Sequence, residues 1–267
     1  MKPVAFEYEK PVDIAQALSL LAASDGTGKI VAGGQSLGPM LNLRLAQPTL
    51  LVDVRTLERL KEVRLTEDAL VLGACTTHAV IEDGLVPDVT RGFMQRVARD
   101  IAYRAVRNRG TLGGSLCHAD PAADWVSAMM LLSAVVVIEG RAGTREVDAE
   151  HFVSGAFSTA LGEDEVLAAI RIPKLSRAAR WGWYKFRRKP GEFAEALAGV
   201  LVDPDRHIHR AVIGALHTVP HVVADARPLA DESALCEAID AAGIRDDPYE
   251  QQIHYTALKR ALAQLYA

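Results

Sequence analysis

The spacing of apolar residues changes repeatedly along the chain, and each change marks an element. Ile14, Ala17, Leu18 and Leu21 fall at helical spacing, so residues 12–23 are expected to form a helix with one buried face. Ile30-Val31 is a short strand, and Leu50-Leu51-Val52-Asp53-Val54 reads as a buried one. Residues 69–74 give another strand. Thr77 is placed to cap a short helix beginning near His78. Residues 88–102 read as helical, and Asp120-Pro121 as the start of a helix running through Leu132. Residues 134–139 and 165–172 are strand-like. Pro173-Lys174-Leu175-Ser176-Arg177 then interrupts the pattern and marks a boundary. After it, residues 183–187, 193–202 and 211–216 predict a small sheet. Residues 233–242 and 248–265 carry helical spacing and are expected to cover one face of that sheet. The class is α+β.

Composition narrows the function classes. The 267 residues suffice for two modest domains, and 49% hydrophobic with 24% charged residues is an ordinary soluble mixture. A net charge of −4 argues against a dedicated nucleic-acid binder. Cys75, Cys117 and Cys236 are widely separated, so they define neither a disulfide framework nor the clustered ligands of an iron–sulfur site; a buried apolar role is the default for each. The first ten residues lack an apolar signal core, and residues 125–138 are too few to span a membrane. Cytoplasm is the expected location.

Chemistry concentrates in two glycine-pair loops, Ala32-Gly33-Gly34-Gln35-Ser36, followed by Leu37, and Thr111-Leu112-Gly113-Gly114-Ser115. Glycine lets backbone approach a ligand closely, and successive N–H groups can form a concavity for an anion. A Gly-Gly pair on its own is usually just a turn. Two in one domain suggest two grips on a pyrophosphate. Neither loop carries G-x-x-x-x-G-K-[ST] or a full G-x-G-x-x-G, so a P-loop and a Rossmann fingerprint are both disfavoured. Basic residues cluster at 104–109 and 185–189, as a solvated face, a protein contact or a means of neutralising phosphate.

The longer runs carry a resemblance. Val31-Ala32-Gly33-Gly34-Gln35-Ser36-Leu37-Gly38-Pro39-Met40, then Arg107-Asn108-Arg109-Gly110-Thr111-Leu112-Gly113-Gly114-Ser115 with His118-Ala119-Asp120-Pro121-Ala122-Ala123-Asp124, and finally Lys185 to Ala194 occur in the order seen in one family. The chain resembles the FAD-binding medium subunits of the molybdenum hydroxylases, as in aerobic carbon monoxide dehydrogenase, which are related to the flavin domain of xanthine dehydrogenase. The resemblance implies a two-lobed FAD-binding domain of the PCMH type over residues 1–175 (lobes about 1–56 and 57–175), and a small C-terminal sheet-and-helices domain over 176–267. The flavin is expected in the cleft between them.

The same resemblance implies residue roles. Residues 32–36 and 111–115 are expected around the FAD pyrophosphate, with Ser36 and Ser115 adding hydroxyl contacts or merely capping turns. Asp124 aligns with an acidic position that contacts the flavin polyol; Asp120 either joins it or caps the following helix. Leu167, Lys185 and Phe193 match positions near the isoalloxazine, the lysine favouring negative charge on reduced flavin. Their ordinary alternatives are an exposed strand lysine and a core phenylalanine. His118 is expected to bond loop backbone, since this chemistry needs no general base. Glu192 stands where the family has Asp, and residues 211–220 match only loosely.

The resemblance further implies an electron-transfer subunit, with [2Fe–2S] clusters expected on a small partner, the molybdenum cofactor on a large one, and a doubled heterotrimer. A self-contained flavin oxidase or reductase, and a module that has lost FAD, stay open.

Overall fold

The computed structural model describes residues 2–244 and 247–266. Its first lobe runs β1 (Glu7–Glu9), α1 (Ile14–Ala23), β2 (Gly28–Val31), α2 (Leu37–Asn42) and β3 (Leu50–Asp53). Asp13 starts α1 by accepting from Gln16 N, while the Gln16 side chain accepts from Val12 N. The three strands form an all-parallel sheet ordered β1-β3-β2. Every residue of central β3 is buried, as expected of a strand covered on both faces.

The second lobe holds β4 (Val63–Leu65), β5 (Ala69–Gly73), α3 (His78–Glu82), α4 (Phe93–Asp100), α5 (Arg104–Arg107), α6 (Leu112–His118), α7 (Asp124–Leu131), β6 (Val135–Gly140), β7 (Gly143–Asp148), α8 (Ala149–Phe152), β8 (Val153–Gly155), β9 (Ser158–Thr159) and β10 (Glu165–Pro173). Five of these strands form an antiparallel sheet ordered β4-β5-β10-β6-β7. The remainder is β11 (Arg180–Phe186), β12 (Ala196–Asp203), β13 (Ile208–Gly214), β14 (His221–Val223), α9 (Glu232–Ala241) and α10 (Pro248–Ala263). Its strands make a four-stranded antiparallel meander.

That meander is covered on both faces. One face packs on α9 and α10 through Ala198, Val200, Leu235, Ile239 and Leu258. The other lays Trp183, Leu197 and Val212 onto the core of the second lobe, with Trp125 and Met129 of α7. Gly182 on β11 is what lets α10 dock: a Cβ there would sit 1.8 Å from Ala261 O. Gly182→Ala is therefore expected to destabilise the chain by about 2 kcal/mol, the scale of overpacking, read from the urea midpoint at constant m.

Several expected boundaries move, for local reasons. The helix expected over 88–102 begins only at Phe93. Asp88 accepts from Thr90 N and Gly92 N, and Arg91 and Gly92 take φ of 59° and 80°, a conformation no α-helix contains. The helix expected from Asp120 begins at Asp124, because Asp120 closes a turn of its own on Ala122 N and Ala123 N. The strand expected from Phe193 begins at Ala196, and Phe193 lies outside it, exposed. Cys75 is buried, but Cys117 and Cys236 are exposed, against the default given to all three.

Candidate functional site

The structure brings the two glycine loops into contact. Gly33 packs directly on the chain entering the second loop: a Cβ on it would lie 2.2 Å from Arg109 O and 2.7 Å from Gly110 Cα. Gly114 in turn faces Ala32 at ordinary contact distance. Gly34 has φ of 69°, the left-handed turn that carries the chain from β2 into α2.

Their backbone donors are spent differently. In the second loop, Leu112 N bonds Thr76 O, Gly113 N bonds Ala74 O, Gly114 N bonds the Thr111 hydroxyl and Ser115 N bonds Thr111 O. Residues 112–115 are the first turn of α6, with Thr111 as its cap, rather than an open loop. In the first loop, the N–H groups of Gly33, Gly34, Gln35, Ser36 and Leu37 have no hydrogen-bond partner among the described residues. Gln35 turns its side-chain amide onto Gly33 O, which leaves its own N–H free. Among the described residues the free backbone donors of the two loops therefore lie in the first, while those of residues 112–115 are taken up within the fold.

Neither serine caps a helix. Ser36 sits at the N-cap of α2 without a side-chain cap bond, and Thr111 takes the capping role ahead of Ser115. A buried Thr76 hydroxyl without a partner among the described residues lines an adjoining cavity of about 390 Å³, together with Gly33, Thr111, Arg55, Lys61 and Arg109. Sequence reasoning missed Thr76, which carries no motif signal and is placed only by its pairing with Leu112.

The basic cluster at 104–109 is mostly committed to acids. Arg104 pairs with Glu82 and Asp83, and Arg107 with Glu82 while donating to Ile101 O and Ala102 O. Among the described residues Arg109 makes no ion pair, and it lines the cavity. In the other cluster, Lys185, Arg187 and Arg188 pair with Asp124, Asp100 and Glu195.

Asp124 and Lys185, distant in sequence, meet at 2.7 Å with side chains 4% and 3% exposed. Lys185 is therefore no exposed strand lysine. It also donates to Asp100 O, tying β11 to the end of α4. Burial pushes the Asp124 carboxyl up from its ordinary range, and the Lys185 charge pulls against that. Asp124 Oδ2 takes the lysine; Oδ1 is buried and has no partner among the described residues. A buried carboxylate oxygen left bare is costly unless a ligand hydroxyl satisfies it.

The other expected contacts separate. Leu167 is buried in the main core beside a bulge in β10. Phe193 is 57% exposed, beyond Gly191, whose Cα lies against the ring of exposed Tyr103. Asp120 is occupied by its own turn and caps no helix. His118 packs against Phe157, ring centroids 5.2 Å apart and planes tilted by 53°, and among the described residues does not make the expected backbone bond.

The five backbone donors, two serine hydroxyls and one buried carboxylate oxygen that lack partners among the described residues suit a ligand that is anionic at one point and polyhydroxylated at another. FAD has both features, so the residues present fit it.

Comparisons with known proteins agree. Residues 4–175 match the model of the FAD binding domain in molybdopterin dehydrogenase. The chain is 35% identical over 265 residues to the nicotine 6-hydroxylase medium subunit of Paenarthrobacter nicotinovorans, covering 96% of this chain and 92% of that one. It is 35% identical over 202 residues to the carbon monoxide dehydrogenase medium chain of Hydrogenophaga pseudoflava, 76% of this chain and 70% of that one. Among solved structures, carbon monoxide dehydrogenase from Hydrogenophaga pseudoflava superposes with a TM-score of 0.90 at 29% identity, over 100% of this chain and 99% of that one. Quinoline 2-oxidoreductase from Pseudomonas putida 86 gives 0.86 at 31% identity, over 99% and 98%.

Proposed function

Because this chain belongs to the family of FAD-binding medium subunits of the molybdenum hydroxylases, we propose that it relays electrons from partner-borne [2Fe–2S] clusters to an external acceptor. The observation that carries the reading is the row of free N–H groups from Gly33 to Leu37, pressed against the second glycine loop. FAD supplies the chemistry, since it takes electrons one at a time and gives them up in pairs.

The chain's own residues bind and tune. The first loop's donors and the Ser36 hydroxyl hold the pyrophosphate, and Arg109 adds charge beside it. Ser115 offers a hydroxyl from α6, and Asp124 Oδ1 accepts from the flavin polyol. Lys185 holds Asp124 in place, and its cation favours negative charge on the reduced ring. Leu167 and Phe193 supply apolar contacts, with Phe193 the more accessible. Asp120 shapes the turn that delivers Asp124 from the end of α6 with one carboxylate oxygen and joins the flavin contact with the other.

Substrate oxidation is assigned to a molybdenum-bearing large subunit, with a small iron–sulfur subunit between them and the heterotrimer doubled. One fact supports that division: the relatives' names carry substrates as unlike as carbon monoxide and nicotine, and they are themselves medium chains or subunits. Among the described residues no helix is long and apolar enough to cross a membrane.

The test is the visible spectrum of the folded chain reconstituted with FAD, followed by electron delivery with and without the partner subunits. One FAD per chain, reduced by substrate only when both partners are present, is the expected result. A folded, colourless protein at FAD saturation overturns the reading, and substrate-driven reduction by the chain alone replaces it with a self-contained oxidoreductase.

A further inference from the structure

We propose that His78 is a positioning residue for the flavin site, locking the second glycine loop to the helix that carries Asp124. The inference rests on the FAD reading above and adds a residue that touches neither phosphate nor ring.

His78 opens α3 behind its N-cap Thr77 and is buried. Its backbone N–H donates to Gly110 O at 2.9 Å. That bond belongs to a short zipper in which Leu112 N reaches Thr76 O, Gly113 N reaches Ala74 O, and Thr77 bridges Thr111. The imidazole lies on Gly110 itself: a Cβ there would stand 2.7 Å from Nε2 and 2.9 Å from Cδ2. So the ring sets the path of the chain as it enters the loop on which Gly33 rests.

The other side of the same ring is held by α7. Trp125, fully buried and next to Asp124, donates its indole N–H to His78 Nδ1 at 2.9 Å. An indole N–H can only donate, so Nδ1 must present a lone pair and the ring proton sits on Nε2. Burial, reinforced by the Arg107 cation, pushes the His78 pKa down to about 4, which keeps the acceptor in place at neutral pH. One neutral ring thus joins two elements, one carrying Thr111 to Ser115 and the other the bare Asp124 oxygen. The cofactor must meet both at once. Fixing their relative position beforehand removes an ordering cost that would otherwise be charged against affinity.

A packing role predicts something different. Leucine would fill the volume of the ring while leaving the Trp125 N–H buried without a partner; asparagine would leave a small void but place an amide oxygen where Nδ1 stood. FAD titration of the full-length chain separates the two, with melting temperature recorded alongside. His78→Leu is expected to weaken FAD binding about tenfold, because the two elements must then be ordered as the cofactor binds. His78→Asn is expected to regain most of that loss. Trp125→Phe removes the donor from the other side, and combining it with His78→Leu is expected to weaken binding no further than either alone, as for two halves of one interaction. Wild-type affinity in both His78→Leu and Trp125→Phe overturns the proposal, as does an equal loss in His78→Leu and His78→Asn. Should His78→Leu fail to fold, Trp125→Phe against wild type decides alone. Failure of the wild-type chain to take up FAD is a separate result that overturns the function reading.

Discussion

Gly33→Ala is expected to weaken FAD binding at least about 100-fold, roughly 3 kcal/mol, in a chain that still folds. The new methyl would lie 2.2 Å from Arg109 O and 2.7 Å from Gly110 Cα. Both are backbone atoms of a segment pinned by the His78 N–H donating to Gly110 O and the Leu112 N–H donating to Thr76 O, so neither can yield as a flexible side chain would. The loops must separate, and the free donors between Gly33 and Leu37 lose their aim. Gly38→Ala is the control. It lies in α2 with nothing within 4 Å of its would-be Cβ, so it should leave affinity unchanged and stabilise the helix by up to about 1 kcal/mol. Titration of FAD fluorescence against both variants is the measurement; equal affinities would mean that contact between the loops is irrelevant to binding.

Lys185→Met should carry the largest stability effect, about 3–5 kcal/mol at neutral pH, because it leaves the Asp124 carboxylate buried without its counter-charge. The pH dependence has a definite sign. Burial already raises the Asp124 pKa in the folded chain, and removing the lysine raises it further. The folded state then holds a proton that the unfolded chain has released, so stability falls as pH rises from the unfolded carboxylate pKa, near 4, through the folded one. Acidification toward pH 4 should accordingly recover part of the loss. Asp124→Asn combined with Lys185→Met should recover most of it at pH 7, since no charge is then stranded. Urea unfolding across pH is the measurement, and a loss in Lys185→Met that is flat with pH would show that Asp124 is not the stranded group. FAD affinity should fall in both variants, because Asp124 loses either its anchor or its charge.

These two effects differ in how visible they were beforehand. The glycine pairs were conspicuous in the linear chain, and the resemblance put them at one ligand. Which donors remain free was not visible, because Leu112 N and Gly113 N are consumed by Thr76 and Ala74, residues without any pattern of their own. Thr111 as the cap of α6 follows from the same pairing. Long periodic elements such as α1, α9 and α10, and the fully buried, mostly apolar β3, are legible within a few residues. Edge strand β7, Gly143–Asp148, was not: it is largely exposed and carries no apolar alternation, so only its partner β6 makes it a strand.

Sequence alone determined the periodic elements, the two glycine loops and the family. Each of these is written in residues close along the chain, where apolar spacing, missing side chains and backbone freedom act locally. Tertiary structure alone decided how charges and donors were allotted. Lys185 finds Asp124, Arg104 and Arg107 are absorbed by Glu82 and Asp83, and His78 accepts from Trp125, each across a stretch of chain with no pattern linking the partners. A polar side chain's role depends on what burial brings within about 3 Å of it, and burial is a property of the packed fold rather than of spacing along the chain.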